Sequence, residues 1–181
     1  MTIDITSLKP FIAKIDAWID DYIDAHREER IRVADLGFPN LPAYFAPNLL
    51  KNAYIVYTDQ IKAPPLHEMG LDGLSFFESM DPEGITYKDT FFITPAQKDR
   101  ESIHFHELIH IIQWNELGAE NFILTYGANL LVSGYRLHPL EAIAYELQAD
   151  FDHGHAIANL ESSIRSHCRN LAENPLVKGH I

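Results

Sequence analysis

The chain has 181 residues, 46% of them apolar and 22% charged, a length and balance that suit one domain spanning residues 1–181 with a real hydrophobic core. A formal net charge of −12, from 26 acidic against 14 basic side chains, excludes nucleic acid or an anionic membrane surface as the main partner. The one cysteine, Cys168, excludes an intrachain disulfide and fits a reducing compartment.

In chain order, Met1-Thr2-Ile3-Asp4 opens without a basic n-region or an apolar h-region, and no apolar run reaches bilayer-spanning length. A cytoplasmic chain with no membrane partner is expected. Residues 7 to about 30 read as an amphipathic helix: Leu8, Phe11, Ile12, Ile15, Trp18, Ile19, Tyr22 and Ile23 recur at helical spacing, and Asp16, Asp20, Asp21 and Asp24 take the solvated face. Residues 35–50, with Gly37, Pro39, Pro42 and Pro47, read as an irregular packed loop. Residues 52–61 read as a strand ended by Pro64-Pro65, and residues 85–93 as a second strand that pairs antiparallel with the first. Thr94, Pro95 and Gln97 form a capping box for a helix running to Leu117, with Gly118 as its stop. Further helices are expected over 120–134, from Pro139 behind a His138 cap to Phe151, and over 156–171, with a frayed tail after Pro175. The sum is an α+β fold, mostly helical, with a small antiparallel sheet preceding the helix from Thr94.

That helix carries the most informative stretch of the chain, His106-Glu107-Leu108-Ile109-His110. Residues four apart share a helix face, so both imidazoles can reach one metal ion, and Glu107 sits beside them as a base for metal-bound water. The surrounding residues Ile103, Phe105, Leu108, Ile109, Ile111 and Ile112 make the helix apolar nearly all round, hence buried. Buried polar groups need partners, and a metal ion supplies one. H-E-x-x-H in this setting is the signature of a zinc-dependent hydrolase, usually a peptidase.

A catalytic zinc site takes a third protein ligand and leaves one position open. The segment His138 to Asp150 offers Glu141 and Glu146, which lie about 140° apart around a helix and so do not both face one metal. The motif followed by a helix with Glu near its start resembles the gluzincin branch of the zincin metallopeptidases, over residues 85–151. That resemblance implies a compact zincin-like fold, with two His and one Glu on Zn2+. Glu146-Leu-Gln-Ala-Asp150 fits the Glu-x-x-x-Asp form common in the family. Pro139-Leu-Glu141, together with Gln113-Trp114, resembles small uncharacterised zincin-like domains. Glu141 is favoured for its first-turn position; Glu146 has Asp150 one turn on to orient a ligand imidazole. The metzincin extension H-E-x-x-H-x-x-G-x-x-H is absent, because Gln113 and Glu116 stand at its Gly and His positions.

The expected site is therefore His106, His110 and Glu141 as metal ligands and Glu107 as general base, acting on a peptide or protein substrate through zinc-bound water. The alternative is a zinc-binding or partner-binding domain on the same fold without proteolysis. Tyr126, Tyr135, Tyr145, His138, His153 and His155 are candidate oxyanion donors among which the sequence does not choose. His104, two residues before the first ligand, reads as structural, Trp114 as core, and His67 as solvated.

Overall fold

The computed structural model describes residues 9–135 and 137–173; the predicted tail after Pro175 lies outside them. Helix α1 (Lys9–Ala25) is followed by β1 (Ile31–Arg32), α2 (Leu41–Tyr44), α3 (Pro47–Asn52), β2 (Tyr54–Tyr57), β3 (Gly84–Tyr87) and β4 (Thr90–Ile93). Then come α4 (Glu101–Ser133), α5 (Pro139–Asp152) and α6 (Leu160–Glu173). The class is α+β, and all described strands precede α4, as the sequence indicates.

The sheet differs from expectation in one respect. Its order is β1-β2-β4-β3, with β2 and β4 parallel and the two outer pairings antiparallel. The sheet is mixed because the stretch 85–93 is a hairpin rather than one strand. Lys88 turns with φ of 55°, and the second arm pairs with β2. The turn is pinned from outside: Lys88 Nζ reaches Asp16 at 2.7 Å and also Asp20, so part of the solvated α1 acidic face also holds the hairpin. The central strand β4 is buried at every position, because α1 covers one sheet face and α4 the other. Phe92 meets Tyr22 of α1 at 4.7 Å between ring centroids, and its neighbour Phe91 meets His104 of α4 at 6.0 Å. Alternate side chains along a strand point to opposite faces, which is what lets one strand serve both helices.

Two helix boundaries are set by distant contacts. The capping-box residues Pro95–Gln97 form only a 3-10 turn, and Thr94 makes no side-chain cap. Helix α4 starts at Glu101, whose carboxylate accepts from the backbone N–H of Asn40 and Leu41, both at 2.8 Å, while Gln97 is drawn to Glu83 at 2.7 Å. Residues expected as loop accordingly hold α2 and α3. Other boundaries follow the local signals. Gly118 takes φ of 70° and kinks α4 into two helical halves, the predicted stop and restart. His138 caps α5 by accepting from Leu140 N, with Pro139 in the first turn. Helix α6 packs Leu160, Ile164, Cys168 and Leu171 inward, and Arg165 and Arg169 fasten it to Glu116 of α4 at 3.2 and 2.6 Å. Helix α4 is thus the central rod against which β3, α1, α5 and α6 all pack.

Candidate metal centre

The first half of α4 places His106 and His110 one turn apart on the face toward α5, and α5 brings Glu141 to them from its own first turn. The Nε2 atoms of the two His stand 3.0 Å apart, and each lies 3.6 Å from Glu141 Oε2. All three side chains are buried. Among the described residues they form the one cluster of three or more His, Cys, Asp or Glu able to share an ion. Glu146 is exposed and takes no part. Asp150 does not orient a ligand imidazole; it accepts from His155 at 2.9 Å.

The orienting role belongs to two glutamines. Gln113, fully buried, donates its Nε2 to Leu140 O at 2.9 Å. A carbonyl only accepts, so the amide can face only one way, with Oε1 toward His110 Nδ1 at 2.7 Å. His110 Nδ1 must therefore carry a hydrogen, and in the neutral ring Nε2 is a bare lone pair aimed at His106. Gln148 Oε1, two turns beyond Glu141, stands 3.0 Å from His106 Nδ1, and an Nδ1–H donated to it leaves His106 Nε2 facing the cluster in the same way. Two lone pairs this close repel unless a positive charge, a proton or a metal ion, sits between them.

The electrostatics agree. Burial alone would depress His110, but the adjacent Glu141 carboxylate outweighs it and raises the imidazole to about 9. Burial would raise Glu141, yet His110 and His106 hold it well below the usual carboxylate range. Glu107 goes the other way: burial raises it, only partly countered by the same imidazoles and by Thr86. Two carboxylates in one site are thus pushed apart, one kept anionic and one brought nearer to neutrality.

Donor atoms held ~2.0–2.2 Å from a tetrahedral zinc stand roughly 3.3–3.6 Å from one another. The separations here, 3.0, 3.6 and 3.6 Å, bracket that value. The set of two imidazoles and one carboxylate, with both outer nitrogens hydrogen-bonded, could hold a metal ion.

Around this cluster, Thr86 Oγ1 donates to Glu107 Oε2 at 2.6 Å, which leaves Oε1 on the Gly84 side. A Cβ at Gly84 would run into Glu107 Oε1 and lie 3.0 Å from its Cδ, so only glycine lets β3 pass this close. Tyr126 and Tyr135 donate to the two Glu141 oxygens at 2.8 and 3.3 Å, and Tyr145 stands 3.3 Å from Tyr135. Burial raises all three phenols, so each remains a neutral donor.

No protein-family model matches the chain, and no curated protein or solved structure does either. The chemistry of the site rests on its own geometry.

That geometry sorts the remaining candidates. His138 is committed to capping α5 and to donating to Tyr126 O at 3.0 Å. His153 and His155 are exposed and stack on each other at 5.5 Å, outside the metal cluster. His67 is exposed beside Asp72, and His104 is buried between Arg100 O and the Tyr57 hydroxyl, a structural residue as its spacing implies. Trp114 is core, stacked on Phe122 at 3.9 Å, and its Nε1 donates to Thr86 O at 3.1 Å. Gln148, Thr86 and Gly84 escaped sequence reasoning, and Gln113 entered it only as part of a motif. Gln113 had a signal, being one turn from His110; Thr86 and Gly84 had none, since only tertiary packing lays β3 along α4. No described helix is long and apolar enough to cross a membrane.

Proposed function

We propose that this chain is a zinc-dependent peptidase of the gluzincin kind, with His106, His110 and Glu141 as ligands and Glu107 as general base. One observation carries the reading: the Nε2 atoms of two imidazoles, each with an amide behind its Nδ1, converge with a low-titrating carboxylate while a second, raised carboxylate stands alongside. Pure metal binding has no use for Glu107, nor for Thr86 and Gly84 shaped around it.

Zinc at this position would act as a Lewis acid toward a carbonyl oxygen and lower the pKa of water toward neutrality. The protein groups supply the rest. Glu107 takes the proton of the attacking water on Oε1, the oxygen that Thr86 leaves free, and returns it to the departing amine. Its raised affinity for protons, caused by burial, suits it to hold the proton between the two steps. Tyr135 borders both pockets that meet at the cluster; its hydroxyl, which donates to Glu141 at the long distance of 3.3 Å, is the donor that would turn from that carboxylate toward a developing oxyanion. Extended backbone finds a guide in β3, the edge strand beginning at Gly84 beside Glu107.

The test has two stages. Purified chain should carry about one zinc per molecule, as a single three-ligand site implies, and the zinc-loaded form should cleave a broad peptide library while Glu107→Gln does not. Folded protein that takes up no zinc refutes the metal centre. Zinc-loaded wild type as inert as Glu107→Gln refutes the peptidase and leaves a non-proteolytic zinc-binding domain.

A further inference from the structure

The two oxygens of Glu141 have different surroundings. Oε2 lies 3.6 Å from the Nε2 atoms of both His106 and His110. Oε1 accepts a hydrogen bond from the Tyr126 hydroxyl at 2.8 Å. A carboxylate can bind a metal ion through one oxygen or through both. A catalytic zinc site with three protein ligands keeps its fourth position for water, and a second oxygen from Glu141 would compete for it.

We infer that Tyr126 is a positioning residue that holds Glu141 to binding through Oε2 alone, so that the place its other oxygen would take stays open for water. Two observations support a fixed donor. The first is the setting of the phenol. Its ring stands 4.1 Å from that of His138, 5.7 Å from Phe122 and 6.0 Å from Phe77, and burial keeps it protonated. The second is a strut between donor and acceptor. His138 Nδ1 accepts from Leu140 N at the start of α5, the turn that carries Glu141. A neutral ring with its proton on Nε2 then donates to Tyr126 O at 3.0 Å. Phenol and carboxylate are thus fastened to one frame by a bond that involves neither functional group. Tyr135 differs on each point. It follows the end of α4 at Ser133, and its hydroxyl stands 3.3 Å from both Glu141 Oε2 and the exposed Tyr145. Of the two phenols on Glu141, one is anchored on the outer oxygen and the other rests loosely on the oxygen that faces the imidazoles.

Tyr126 has this role only if the cluster holds a metal ion, as proposed above, and the experiment separates the two claims. Co2+ takes nitrogen and oxygen donors as zinc does, and it absorbs visible light much more strongly with four donors than with five or six. Wild type, Tyr126→Phe and Tyr135→Phe are loaded with Co2+ without substrate, and the thermal midpoint of each metal-free protein checks folding. Wild type and Tyr135→Phe should show the strong four-coordinate band. In Tyr126→Phe the freed Oε1 joins the metal, and the band should fall by roughly half or more as a fifth donor enters. Equal bands in all three proteins, equal weakening in both variants, or a wild type already at five or six donors overturns the assignment and leaves the metal centre standing. Folded wild type that takes up neither Co2+ nor zinc removes the metal centre and the assignment with it. If Tyr126→Phe does not fold, the infrared difference spectrum of wild type on zinc binding decides. Widely separated carboxylate stretches and a shifted phenol band support one-oxygen binding backed by tyrosine; closely spaced stretches overturn it. Peptide hydrolysis enters none of these readings, so its absence bears on the peptidase alone.

Discussion

Replacing Gln113 by Leu probes the amide that decides which nitrogen of His110 faces the cluster. The substitution keeps the volume nearly constant but removes two buried hydrogen bonds, to His110 Nδ1 at 2.7 Å and to Leu140 O at 2.9 Å. Each orphaned buried partner costs about 1–3 kcal/mol. The gain from burying a leucine in place of an amide offsets part of this, so zinc-free protein should lose about 2–4 kcal/mol of stability. Loss of an orienting partner behind a metal-bound His lowers metal affinity by roughly 10–100-fold, or about 1.4–2.7 kcal/mol. Gln113→Glu provides the contrast. Its carboxylate still accepts from His110 Nδ1, but nothing donates to Leu140 O. Zinc affinity should then stay at or above wild type while stability falls. Competition against a chelating fluorophore reads the affinity, and urea unfolding of zinc-free protein followed by circular dichroism reads the stability. Leucine and wild-type proteins of equal zinc affinity would refute the idea that the Gln113 amide sets the imidazole.

Gly84→Ala should keep zinc content and fold but lower kcat about 100-fold, because the new Cβ displaces Glu107 and a misplacement of ~1 Å in a reacting group costs that much; unchanged turnover would show that Glu107 has room to spare. Glu107→Gln should retain zinc while losing ~10²–10⁴ in kcat, measured on whichever library peptide is cut. Burial lowers the His138 imidazole to about 4, whereas the unfolded chain holds it near 6.5. Its stabilising contribution is complete above pH 6.5 and is lost as pH falls toward 4, when the unfolded state gains the proton first. The difference is about 3 kcal/mol, and His138→Asn, which keeps an oxygen at the helix cap, should lose that much less stability than wild type between pH 7 and 4 in paired urea titrations. Cys168, fully buried and pushed up to about 12 mainly by desolvation, should resist thiol reagents in native protein and react only as fast as the chain opens.

Local signals were readable wherever a helix boundary or a helix face depends on neighbours within a turn or two. The His106–His110 face, the Gly118 break and the His138-Pro139 start of α5 are all of this kind. The misreadings have one cause. Thr94, Pro95 and Gln97 carry a sound helix-start pattern, yet Glu101 and Gln97 are engaged by Leu41 and Glu83 from distant parts of the chain. The run 85–93 has strand propensity throughout, and the turn at Lys88 is held by Asp16 and Asp20, which lie about seventy residues earlier by sequence number.

By itself the amino-acid order determined the class of fold, the burial of the motif helix and the convergence of two imidazoles on one side of it, since a 3.6-residue period is a property of the backbone. Tertiary structure decided the rest: it turned a sequence preference for Glu141 over Glu146 into a contact, and it alone chose Gln113 and Gln148 over Asp150 and the parallel register at the centre of the sheet. The choice between two carboxylates on one helix depends on the angle at which α5 lies against α4. That angle is settled by packing among residues far apart in the chain, to which no local pattern responds.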